Sequence, residues 1–179
     1  MSPLRWIPTI VAFPLGGLLA IQVASTQGGF LFAALAGLIA GAVLGLAQWL
    51  ALRPAVHPLW IGATSVGLAL GAGLGSLATA SSTAAAGLLV FGAIEGAIVG
   101  AAQGMLLRRG ILKAVGWMLV LSASWSVAWF ITAAVIVDEQ RGYVTFGLSG
   151  AALVTVMTGL VLRLMLVGRV RSTATAVTA

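Results

Sequence analysis

Six long apolar runs, separated by short connections, constrain this chain more than any other feature. They occupy approximately residues 6–24, 30–52, 59–79, 84–107, 115–137 and 143–167. A hydrocarbon core of about 30 Å takes roughly 20 helical residues to cross. Inside lipid every backbone N–H and C=O must be satisfied within the segment, so runs of this kind are expected to be helices. A transmembrane β-barrel needs short segments that alternate polar and apolar residues, and none of these runs alternates. The sequence therefore predicts an all-α, polytopic membrane bundle of six transmembrane helices.

Composition points the same way. Hydrophobic residues make up 61% of the 179 and charged residues only 7%, against about 25% charged in a soluble domain. So few charges cannot cover the surface of a water-soluble globule of this length, so lipid must be the solvent for most of it. A net charge of +6 would suit nucleic acid only if the basic residues shared a face. Instead they stand singly or in pairs at the ends of the apolar runs, and no nucleic-acid partner is expected. Cysteine is absent, which excludes disulfides, thiolate chemistry and Cys-ligated zinc. The Ala, Gly and Leu bias is one associated with bacterial chains.

The connections at 25–29 (STQGG), 53–58 (RPAVHP), 80–83 (ASST), 108–114 (RRGILKA) and 138–142 (DEQRG) hold most of the breakers and charges. Their shortness makes consecutive helices antiparallel neighbours within one domain, 1–168, followed by a disordered cytoplasmic tail, 169–179. Arg5 and Val23-Ala24-Ser25 give the first run some likeness to a signal peptide. Pro8, Pro14 and the repeat described next favour a retained helix instead.

Counting spans from the N-terminus, one side receives Arg5, Arg53, Arg108, Arg109, Lys113, Arg163, Arg169 and Arg171. The other receives Arg141, beside Asp138 and Glu139. Short loops obey the positive-inside rule, so both termini are expected on the cytoplasmic side of a bacterial inner membrane. Trp6, Trp60 and Trp117 stand at that same side, where indoles favour the interface. The basic pairs there can also hold anionic lipid headgroups.

An internal repeat refines the architecture. Gly37, Gly41, Gly45, Gln48, Leu52 and Arg53 recur, each shifted by 55, as Gly92, Gly96, Gly100, Gln103, Leu107 and Arg108. A further shift lands on Gly147, Thr158, Leu162 and Arg163, with Ala151 and Thr155 at the other glycine positions. The preceding run opens alike in each copy, at Trp6-Ile7, Trp60-Ile61 and Trp117-Met118. The chain thus reads as three tandem helical hairpins, about 6–53, 60–108 and 117–163, related by a pseudo-threefold axis along the membrane normal. Residues at i, i+4 and i+11 share a helix face, so Gly37, Gly41 and Gln48 form one stripe, and Gly92, Gly96 and Gln103 another. Small residues allow the close backbone approach on which helix association in lipid depends.

The stretch Gly45-Leu-Ala-Gln48-Trp49-Leu-Ala-Leu52-Arg53 resembles the repeated GxxxGxxQWxxLR-type hairpin element of uncharacterised bacterial multi-pass membrane proteins. The second copy departs from it, with Gly104 in place of Trp, and the third lacks Gln. The resemblance implies a repeated-hairpin membrane fold and carries no activity with it.

Few residues can do chemistry. Glu95 is the one acid within a span, about 20 Å along its helix from Arg108 at 1.5 Å per residue, and so near the bilayer centre. The other copies have Ala40 and Gly150 there, so the packing motif does not require it. Intramembrane acids usually face a cavity or a partner. Glu95 is either a proton- or cation-responsive group on a pathway or a neutral acid hydrogen-bonded to a neighbouring helix. Gln48, Gln103 and Thr158 either bond across helix contacts or form a polar ring round such a pathway. Ser122, Trp125, Ser126 and Trp129 share a face of the fifth run, as wall of a hydrophobic ligand pocket or as packing residues with satisfied N–H groups. His57 lies between Pro54 and Pro58 with no carboxylate or thiol partner. No catalytic constellation, metal site or cofactor motif is present. The expected protein is therefore a non-catalytic integral membrane protein, a subunit or stabiliser of a larger membrane complex. The alternative is a small transporter or channel that uses Glu95.

Overall fold

The computed structural model describes the backbone at residues 5–23, 29–135, 137–138, 143–144 and 148–177, with side chains at 5–22, 29–132 and 148–165. The described residues form helices α1 (Pro8–Val23), α2 (Gly29–Leu52), α3 (Leu59–Ala78), α4 (Ala85–Leu107), α5 (Ile111–Val135) and α6 (Leu148–Val177). Between α5 and α6, β1 (Val137–Asp138) and β2 (Tyr143–Val144) pair as a two-residue antiparallel ladder. Five helices, α2 to α6, are long and apolar enough to cross a membrane. The shorter α1, 16 residues with Pro14 inside it, reaches about 24 Å at 1.5 Å per residue. The chain is a multi-pass helical membrane protein.

The pattern of burial suits a lipid solvent. Leu31, Leu74, Leu119, Val156 and Leu164 point outward, whereas Gln48, Thr64, Glu95, Gln103 and Thr132 are buried. With hydrocarbon outside, polar side chains gain by turning towards one another. Each helix packs on its neighbours in the chain, and α1 also meets α6, which closes the neighbours into a ring.

Glycine sets the closest of these contacts. Gly37, Gly41 and Gly45 lay α2 on the backbone of α3, and Gly92, Gly96, Gly100 and Gly104 lay α4 on α5. A Cβ added at Gly41 would stand 2.7 Å from Ser65 Cα, and one at Gly100 would stand 2.7 Å from Met118 Cα. The close approach brings hydroxyls onto facing carbonyls. Ser65 Oγ donates to Leu38 O at 2.7 Å, and Ser122 Oγ donates to Ala93 O at 2.9 Å. Gly147 lies outside the described residues.

Three boundaries differ from the sequence expectation. α5 begins at Ile111, so the turn after α4 is confined to Arg108–Gly110, where Arg108 (φ 49°) and Gly110 (φ 84°) are left-handed. Ile-Leu-Lys-Ala then contains no breaker and is free to be helical. The sixth helix begins at Leu148 and not at 143, because Tyr143-Val144, of high strand propensity, pairs with Val137–Asp138. At its far end α6 runs to Val177, into the stretch 169–179 read as a tail, whose side chains lie outside the described residues.

Candidate functional site

Gly92 and Gly96 draw α4 onto α5, and Gly71 draws α3 onto α4, where an added Cβ would stand 2.8 Å from Glu95 Cα. Glu95 is thereby held between two close helix contacts and is only 4% exposed. Trp129 Nε1 donates to Glu95 Oε2 at 2.8 Å. The Trp129 ring meets Phe91 edge-on at 5.3 Å, and Trp125, one turn earlier, meets Phe13 of α1 edge-on at 5.6 Å. These are favoured geometries for ring quadrupoles.

The four rings and Glu95 border a cavity of about 390 Å³ between α1, α2, α3, α4 and α5. Gly37, Ala40, Leu44, Leu68 and Ala72 complete its apolar walls, and Ser76, Thr79, Ser81, Ser82 and Thr83 line it at the α3–α4 connection. That connection is tightly tied. Thr79 N–H and Oγ1 both donate to Gly75 O, Ser81 N–H donates to Ser76 O at 2.9 Å, and the Ser76 and Ser81 hydroxyls are 3.0 Å apart. Ala80 (φ 48°) and Ser81 (φ 56°) are both left-handed, at a cost of roughly 1–2 kcal/mol each for residues with a Cβ.

Towards the opposite end, Leu44 and Leu68 are the last described residues of the lining. Beyond Leu44 and Leu68, the next turns carry Gln48, Thr64, Val99, Gln103, Trp60 and Trp117, all buried. Trp60 Nε1 donates to Gln48 Oε1 at 3.0 Å, and Trp117 Nε1 donates to Gln103 Oε1 at 3.2 Å. Gln103 Nε2 then donates to Gln48 Oε1 at 3.1 Å and to Thr64 Oγ1 at 2.8 Å. The result is a polar knot across four helices, none of whose side chains is among the described lining of the cavity.

The sequence-predicted residues separate accordingly. Gln48 and Gln103 are brought into direct contact, while Glu95 lies about two turns up α4 from Gln103. Thr158 Oγ1 donates within its own helix, to Val154 O at 2.6 Å. At that seam Trp6 Nε1 donates to Thr155 O at 2.8 Å. Trp125 and Trp129 line the cavity; Ser122 and Ser126 do not, and donate instead to Ala93 O and Leu89 O of α4. Trp6, Trp60 and Trp117, expected at the lipid interface, are buried in protein, because each indole N–H has an acceptor on the adjoining helix. Phe13 and Phe91 had no signal in the sequence beyond being aromatic. The Trp–Gln bonds did have one: a Trp follows each of the two glutamines by 12 and 14 residues.

His57 Nδ1 accepts from Leu59 N–H at 3.2 Å, at the start of α3. Among the described residues, no three His, Cys, Asp or Glu side chains come together as metal ligands. Comparison with known proteins finds no matching family model, curated protein or solved structure.

Proposed function

We propose that this is a non-catalytic integral protein of the bacterial inner membrane, a binding subunit or stabiliser of a larger membrane complex, which holds a small molecule in its central cavity. The observation that carries the reading is the uneven lining of the cavity: hydroxyls at one end, Glu95 and Trp129 in its wall, and the Gln48–Gln103 knot beyond Leu44 and Leu68. A conducting pathway needs polar lining towards both faces, and the buried Val99 and Leu121 lie between Glu95 and the knot. The transporter reading shares this cavity and draws on Glu95, since intramembrane acids mark ion and substrate routes. It requires a second state in which the knot opens.

The proposed architecture is six crossings with both termini cytoplasmic, in three tandem hairpins of the resembled repeated-hairpin kind. The basic residues at the Arg53 and Arg108 end support the orientation. Support for the repeat comes from three similar seams, where Trp60 bonds Gln48, Trp117 bonds Gln103 and Trp6 bonds Thr155. Lipid is the surrounding partner, with anionic headgroups at the basic end.

The chain has no native cysteine, so single cysteines at Ala36 and Ala72 of the lining report access cleanly. A membrane-impermeant thiol reagent should label both from the outer face alone. Labelling from both faces would establish the transporter reading, and labelling from neither would leave the cavity without a binding role.

A further inference from the structure

The walls of the cavity are chemically uneven, and the unevenness selects a ligand. Among the described residues, Glu95 is the one ionisable side chain on its lining, and no basic group stands beside the carboxyl there. Phe13, Phe91, Trp125 and Trp129 add four aromatic rings, whose π faces attract cations, tryptophan most strongly. An anion would meet a carboxyl and electron-rich ring faces, neither of which attracts it. A neutral hydrocarbon would fill the space but make no use of the carboxyl, whereas a cation can pair with it and favour its ionised form. A small hydrated metal ion would find one carboxyl among apolar walls, with the hydroxyls set apart at the α3–α4 connection, where hard cations need six or more oxygens gathered round them. Apart from the hydroxyls at the α3–α4 connection, the remaining described lining is Gly, Ala, Leu and Ile, which suits an apolar body round the charge. At about 390 Å³ the space is within the roughly 300–1,000 Å³ of small-molecule sites.

We propose that the cavity binds a lipophilic organic cation, an amine or quaternary ammonium on an apolar body, with its charge seated between Glu95 and the Trp125 and Trp129 rings. The hydroxyls of Ser81, Ser82 and Thr83 stand where such a cation enters and sheds water. The inference rests on the cavity being a binding site at all, and it adds the charge and character of what binds.

Phenyltrimethylammonium and tert-butylbenzene have nearly the same shape and differ in charge. Their binding to the protein in non-ionic detergent can be followed by tryptophan fluorescence, referenced to empty micelles, and by calorimetry. The cation should bind at least tenfold more tightly than the hydrocarbon. Glu95→Gln should abolish that preference, and Trp125→Leu should reduce it several-fold. Equal affinity for the two probes in the parent protein would overturn the cation assignment while leaving a cavity that binds apolar molecules. Binding of neither overturns it too, and if Ala72→Cys is also closed to thiol reagents from both faces, the binding reading falls with it. The parent comparison decides the matter even if a variant fails to fold.

Discussion

Replacing Gly96 by alanine tests the packing on which both the cavity and Glu95 depend. The added Cβ would press on Leu121 O and stand 2.6 Å from Leu121 C and 2.8 Å from Ser122 Cα. Carbon atoms rest at about 3.5–4.0 Å, so α5 must retreat by roughly 1 Å. All three contacts are with backbone, which has no rotamer in which to escape. Overpacking of this kind costs about 1–3 kcal/mol. Retreat also breaks the 2.9 Å bond from Ser122 Oγ to Ala93 O, worth about 0.6 kcal/mol on the average for membrane helices. Alanine returns about 0.8–1.0 kcal/mol of helix propensity, so the net loss is about 1–3 kcal/mol. Gly116→Ala on α5 is the control, because an added Cβ there meets nothing within 4 Å; it should be neutral or stabilise by up to about 1 kcal/mol. Reversible unfolding in mixed micelles of sodium dodecyl sulfate, followed by circular dichroism, should separate the two variants clearly. Equal midpoints for Gly96→Ala and Gly116→Ala would refute the claim that close backbone approach holds α4 on α5.

Two further substitutions probe the two ends of the cavity. Trp117→Phe removes the donor to Gln103 Oε1 within a fully buried amide and should cost about 1–3 kcal/mol; on a Gln103→Leu background the same change should cost markedly less, and full additivity in the unfolding assay would show the bond to be energetically idle. Ala80→Gly places glycine at a left-handed position (φ 48°) and should stabilise the protein by about 1 kcal/mol, so a midpoint no higher than the parent's would argue against that backbone conformation.

Much of the helical frame was readable because lipid imposes one strong rule. Runs such as 30–52 and 84–107 have no other way to satisfy their backbones, and the observed α2 and α4 match them to within a residue. The rule weakens where a run mixes signals. Tyr143 and Val144 are as apolar as the helix that follows, so hydropathy alone could not separate a β ladder from the start of α6. Ile111–Ala114 looked like a connection because it follows Arg-Arg-Gly, although only the residues up to Gly110 make the turn.

The site was half readable, for a related reason. In water an amphipathic stripe marks the buried face, but in lipid Leu is equally content outside and inside, so leucines say nothing about direction. Direction is written only in residues that hydrocarbon penalises or that have no side chain. Glu95, Gln48 and Gln103 had to face protein, and the glycines beside them had to face a helix backbone, and both are so. The indoles carried a conflicting signal. A tryptophan near a basic cluster has two ways to satisfy its N–H, water at the interface or an acceptor on a neighbouring helix. Spacing from Arg53 or Arg108 cannot distinguish them; only the presence of Gln48 and Gln103 one seam away does, and those acceptors took all of Trp60 and Trp117 inward. The same choice placed Trp129 on Glu95, and the Trp125 and Phe13 rings stand edge-on in the same cavity wall. A cavity is the space left between such choices on five helices, a property of no single residue, so its position follows from the acceptors while its existence required the fold.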